Sequence, residues 1–124
     1  MPKISKQTAT AQDFGPAIDA KGEMGDFAVS FVTIRETHSL AEPLKGLPNG
    51  QCPCPHWGYV FKGKMTVDYG DHEEVYGAGD AYYMTPGHVP TAEAGSEFLV
   101  ISPAEQFAEV EKAIYAYMSQ FQDA

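Results

Sequence analysis

Two cysteines and a histidine alternate along one short segment, Cys52-Pro53-Cys54-Pro55-His56, and a further histidine, His88, follows a Pro86-Gly87 break. In an extended chain successive side chains point to opposite sides, so Cys52, Cys54 and His56 share a face. Thiolate sulfur and imidazole nitrogen are ligands that zinc takes, or copper where a site tolerates redox change. Three protein ligands leave a position open for water or substrate. Adjacent same-side residues such as Cys54 and His56 can reach one ion. A straight strand would set Cys52 and His56 about 13 Å apart, at roughly 3.3 Å per residue. The expected metal group is therefore Cys54, His56 and His88, with Cys52 as an additional member.

Two other readings of the same residues stay open: hydrogen-bonded histidines beside small packed cysteines, and redox-sensing thiols. A Cys52–Cys54 disulfide would be strained across one intervening residue. Free thiols in a reducing cytosol, or metal ligands, fit better. His38 and His72 sit in loop-like surroundings and read as solvated, although the His38 loop could fold over a barrel mouth. Glu36 is a spare oxygen donor near it.

A pocket needs room beside such a group. Gly58 and Val60 share the face of His56 and are small, which leaves space. Lys62 is inward by the same parity, able to snorkel outward or to meet an anionic ligand. Tyr82 and Tyr83 alternate, so one phenol faces the interior, and either could donate a hydrogen bond to a ligand. Trp57, Tyr59 and Phe61 form the opposite face, which a sheet, a helix or a second subunit must cover.

The elements that position these residues are mainly strands. Residues 1–25 are polar and broken by Gly15, Pro16, Gly22 and Gly25; they read as an N-terminal arm with room for one short edge strand. Phe27 to Ile34 is rich in β-branched and aromatic residues and apolar on both alternating sets, as a strand buried on two sides is. Residues 37–51 have a loop composition. A meander follows, with strands at 56–61, 65–69, 73–76, 81–84 and 97–101 separated by Gly-containing turns. Short strands at this spacing predict an all-β sandwich or barrel. In the tail, Ser102-Pro103-Ala104-Glu105 reads as a capping box with proline at the first helical position. Phe107, Val110, Ile114, Tyr117, Met118 and Phe121 then make one apolar stripe, so 103–122 reads as an amphipathic helix packed on the barrel or on a second subunit.

The meander resembles the cupin superfamily. The run from Gly79-Asp80 through Pro86-Gly87 to His88 is similar to that family's second motif, and the run from Cys52 to Gly63 to its first. The resemblance implies a cupin-type double-stranded β-helix, a jelly-roll barrel, over 26–102, with a metal in its pocket. The ligand pattern departs from the family's. His56 stands at the usual acidic position, Cys52 and Gly50 at the two usual histidines, and His88 lies two residues before the second-motif histidine, which Pro90 replaces. The family's customary iron, manganese or nickel chemistry therefore does not carry over with the fold. The expected cofactor is a divalent metal, zinc first, with copper, iron and nickel as alternatives.

The chain has 124 residues, enough for one domain. Eight Lys+Arg against 17 Asp+Glu give a formal charge of −9, which repels phosphate backbones and anionic bilayers. Neither nucleic acid nor membrane is an expected partner. No apolar run approaches the ~18 residues that span a bilayer, and no apolar run follows the first lysines as in a secretory signal, so the expected compartment is the cytoplasm. The expected partners are a small-molecule ligand and a second copy of the chain. Two functions compete: a metal-dependent enzyme of oxygenase, isomerase or lyase type acting on a small organic molecule, and a non-catalytic module that binds a metal or metabolite. A purely structural barrel is disfavoured by the short length.

Overall fold

Phe27–Ile34 forms the strand that its composition predicts, and it lies between two neighbours in a six-stranded antiparallel sheet. The computed structural model describes residues 3–119, with Met118 described by its backbone alone. The strands are β1 (Thr10–Asp13), β2 (Ala17–Met24), β3 (Phe27–Ile34), β4 (His38–Ser39), β5 (His56–Lys62), β6 (Lys64–Asp68), β7 (Glu73–Gly77), β8 (Ala81–Met84), β9 (Val89–Ala92) and β10 (Glu97–Pro103); the helix α1 spans Ala104–Ser119. One sheet runs in the order β1-β2-β3-β10-β5-β8 and the other β4-β9-β6-β7. Two facing antiparallel sheets of this kind make a jelly roll with side chains of both inner faces in its core.

The inner face follows from register. Asp19 pairs with Val32, Val32 with Phe98, Phe98 with Val60, while Val100 pairs with Gly58 and Gly58 with Tyr82. Val60, Met65, Val67, Tyr82, Met84, Ala92 and Phe98 are buried in one core cluster between the sheets. Met65 and Val67 point inward with Tyr69 packed beside them, as their alternation predicts. Gly58 is required by a close approach: a Cβ there would collide with the Leu99 carbonyl and the Tyr82 phenol. The space expected beside Gly58 is therefore filled by Tyr82, whose hydroxyl donates to the Leu99 carbonyl at 2.9 Å.

Two segments differ from the sequence reading. Residues 1–25, read as an arm with room for one short edge strand, hold two strands: the short edge strand β1, and β2, which pairs with β3 along its whole length. Val89–Ala92, to which the sequence reading gave no element, is a strand between β4 and β6.

The helix begins at Ala104, because β10 runs on through Ser102 and Pro103. Its Phe107, Val110 and Ile114 pack on Leu44, Cys52 and Cys54, forming a second cluster beneath the 40–47 segment. Residues 120–122 of the expected helix, Phe121 and the Met118 side chain lie outside the described set. Among the described residues no helix is long and apolar enough to cross a membrane.

Candidate metal centre and adjoining cavity

His56 opens β5 on the inner face, and the cross-strand register puts Ser102 opposite it, one step beyond the Ile101–Trp57 pair. The two side chains meet: His56 Nδ1 lies 2.6 Å from Ser102 Oγ. His88 arrives after Gly87, and an isolated bridge pairs it with Cys52, whose N–H donates to the His88 carbonyl at 2.9 Å. That bridge carries the Cys52 thiol to 3.5 Å from His56 Nε2. The Cys52 sulfur and one nitrogen of each of His56 and His88 lie within 4.8 Å of one another, and all three residues are buried.

The grouping corrects one expectation. Cys52, not Cys54, joins the two histidines. The separation of about 13 Å assumed a straight strand, but the chain bends at Cys54, and Pro53 and Pro55 keep it out of a regular ladder. The bend turns Cys52 back toward His56. Cys54 is fully buried beneath the helix, with its thiol on the Pro55 carbonyl at 3.5 Å. It packs.

The two imidazoles are in the protonation state that a cation needs, whereas the Cys52 thiol would give up its proton on binding. The carbonyl of Thr85 can only accept, so the 2.6 Å contact with His88 Nδ1 fixes the proton on that nitrogen. Burial lowers the His88 pKa, so the ring is neutral and its Nε2 presents a bare lone pair. That nitrogen is buried and has no hydrogen-bond partner among the described residues. An unpartnered buried acceptor is costly unless something fills its place. Burial, helped by neighbouring His88, drives the His56 pKa down to about 3, so this ring is also neutral. When Nδ1 donates to Ser102, the Nε2 lone pair faces Cys52. Burial pushes the Cys52 thiol up to about 11 and Cys54 up to about 12, the latter also raised by Cys52. Neither is the exposed, low-pKa thiolate that redox sensing requires. One sulfur and two neutral imidazoles match the donor set of zinc or copper.

Next to the group lies a cavity of about 280 Å³ between the sheets. His56 is on its wall with Tyr82, Met84, Phe98, Val100 and Phe107, and the Phe107 ring stands edge-on to His56 at 5.6 Å. His38 lines it as well; its Nδ1 is 2.8 Å from the Glu36 carbonyl. His72 is exposed and held between Asp71 and Glu74.

Two pocket expectations do not match. Tyr83 lies outside the barrel, half exposed and stacked on Trp57 at 5.0 Å, because β8 alternates and Tyr82 takes the inward position. Lys62 is 69% exposed and pairs with Glu97 at 3.4 Å, at a register shift that ends the β5–β10 ladder and turns this residue outward. Sequence reasoning missed Ser102, which read as a helix cap, and Asp19, which lay in the supposed arm. The signal for Ser102 was its place opposite His56 once β10 and β5 are paired.

No family model matches the chain, and no curated protein matches it. Solved structures do match. The polyketide cyclase RemF from Streptomyces resistomycificus superposes with a TM-score of 0.61 at 16% identity, over 84% of this chain and 80% of that one. KdgF from Halomonas sp. gives 0.58 at 18% identity, over 83% and 94%. An RmlC-like cupin from Shewanella frigidimarina NCIMB 400 gives 0.57 at 16%, over 84% and 92%. At such identities the likeness speaks to fold alone, and it agrees with the two motifs. The chain has the cupin fold.

Proposed function

We propose that this protein is a small metal-binding cupin in which Cys52, His56 and His88 hold one divalent ion, zinc first, beside a cavity for a small organic molecule. The observation that carries the reading is the unpartnered, buried Nε2 of His88 facing a thiol and a second neutral imidazole. Three protein ligands would leave a coordination position free. When bound, the ion would supply Lewis acidity toward a carbonyl or hydroxyl of the ligand. The chain's own residues do the rest. Ser102 holds the His56 ring, Thr85 fixes the His88 tautomer, and the apolar walls keep water from a bound molecule. On this basis the protein acts as a metal-dependent enzyme of isomerase or lyase type; oxygenase chemistry would need a redox-active ion such as copper or iron in place of zinc.

A second reading, a non-catalytic metal- or metabolite-binding module, is favoured by one observation. Of the three ligand residues only His56 lines the cavity, whereas Cys52 packs beneath α1 with Leu44 and Val110. Elemental analysis of the purified protein tests both. About one zinc per chain is expected, lost in Cys52→Ala and His88→Ala; a protein that neither retains nor takes up metal would overturn the metal site in both readings and leave only metabolite binding.

Self-association belongs to the same proposal. Trp57, Tyr59, Phe61 and Tyr83 remain 39–51% exposed on the outer face of β5 and β8, where the sequence reading required a cover. Contiguous exposed aromatics of this kind mark association surfaces. A flat apolar face is also self-complementary, which a twofold dimer needs. The two free cysteines suit a reducing cytoplasm.

A further inference from the structure

Two buried side-chain atoms lack a hydrogen-bond partner among the described residues: His88 Nε2 and Oδ1 of Asp19. The second is not explained by the metal group, which Asp19 does not join. Asp19 stands on the inner face of β2, paired in register with Val32, and its side chain lines the cavity.

The other buried polar side chains on the cavity wall are committed. Glu111 accepts from Lys21 Nζ at 2.7 and 2.6 Å and from the Tyr115 hydroxyl at 2.9 Å. Tyr82 donates to Leu99, His38 contacts the Glu36 carbonyl, and His56 contacts Ser102 and Cys52. Asp19 therefore stands out as the buried acceptor left open. Lys21, the cation that acts on it, is paired with Glu111, and no lysine or arginine among the described residues lines the cavity. Burial raises the Asp19 pKa, while the Ser30 hydroxyl and Lys21 oppose the rise. An acidic group kept this way is stabilised by an added donor.

We infer that Asp19 is the polar anchor of the cavity and that it selects a neutral or cationic, largely apolar molecule carrying one hydroxyl or amine donor. The inference rests on the reading of the cavity as a ligand site and is independent of the metal. A cavity of about 280 Å³ exceeds the 150 Å³ or so that admits one benzene, so a ligand of about two fused rings fits. Organic acids and phosphate esters are disfavoured, because the Asp19 carboxylate would repel them while the Lys21 charge is already balanced by Glu111.

The test uses the full-length, as-purified protein and three probes of one shape: 2-naphthol, naphthalene and 2-naphthoate, titrated by fluorescence. The wild type should prefer 2-naphthol over naphthalene by about tenfold or more, the range for a hydrogen bond to a charged acceptor. It should bind 2-naphthoate weakest of the three. In Asp19→Leu the preference for the hydroxyl should vanish while naphthalene binding holds. Asp19→Asn serves as the second variant should the leucine protein fail to fold, and should show a reduced preference. A preference that survives both substitutions, or naphthoate bound as tightly as naphthol, overturns the assignment. Should no probe bind the wild type, the cavity reading falls and this inference falls with it. Metal content, measured alongside, should stay at the wild-type value in both variants. Loss of metal in them would count against Asp19 as an anchor separate from the metal group.

Discussion

At the scale of single residues, the site depends on two imidazoles kept neutral by burial. His56 and His88 both have folded-state pKa values below the ordinary 6.5, with His56 near 3. Below pH 6.5 the unfolded chain takes up protons on these rings that the folded chain refuses. Stability from this source is thus complete above pH 6.5 and is lost as pH falls toward 3. In chelator-treated protein, urea melts at pH 5 should show about 2 kcal/mol less stability than at pH 7 from His56 alone. His56→Leu should flatten that slope, and a wild type indifferent to pH over this interval would contradict the burial argument. The residue types were legible in the sequence, since His56 and His88 were both singled out by their motifs. Choosing between Cys52 and Cys54 was not, because it depends on a bend that Pro53 and Pro55 permit and only the bridge to His88 fixes.

At the scale of elements, the junction of β10 and α1 serves the site. Ser102 sits where a helix cap was expected, yet its hydroxyl holds His56. Partners that orient a ligand imidazole are commonly worth 10- to 100-fold in metal affinity. Ser102→Ala should therefore weaken zinc retention against a chelator by about that factor while leaving stoichiometry intact at excess zinc; an unchanged affinity would remove Ser102 from the site. The helix is also held by Lys21 and Glu111, a partly buried pair, with Lys21 Nζ 5.7 Å from the centre of the Phe107 ring. Lys21→Met should cost about 2 kcal/mol in chemical denaturation, and no change would mean that the pair is incidental. β3 and β8 match their sequence reading end to end, because β-branched and aromatic runs bounded by glycine are strong signals. β2 was illegible because its inward positions hold Asp19 and Lys21, against the usual apolar pattern. Such inversions concentrate where a fold carries function. β9 was missed because Pro90 argues against a strand. The donor that Pro90 lacks would face Leu40, beyond the end of the two-residue β4, and the Leu40 N–H still reaches the Pro90 carbonyl at 3.0 Å.

At the scale of the whole molecule, a charge of −9 coexists with an aromatic outer face. Light scattering on a sizing column should return a dimer, and Trp57→Ser with Tyr83→Ser should shift it to monomer without loss of metal. A wild type that is monomeric at high concentration would refute the association. In the proposed site Cys52, His56 and His88 share one ion and Cys54 takes no part. Cobalt(II) titration of the metal-stripped wild type and of the Cys52→Ser and Cys54→Ser proteins tests it most directly, since thiolate ligation gives a charge-transfer band that nitrogen and oxygen ligands do not. The band should saturate at one cobalt per chain in the wild type, persist in Cys54→Ser and disappear in Cys52→Ser. A band that is absent from the wild type, or lost with Cys54 and kept without Cys52, would contradict the account.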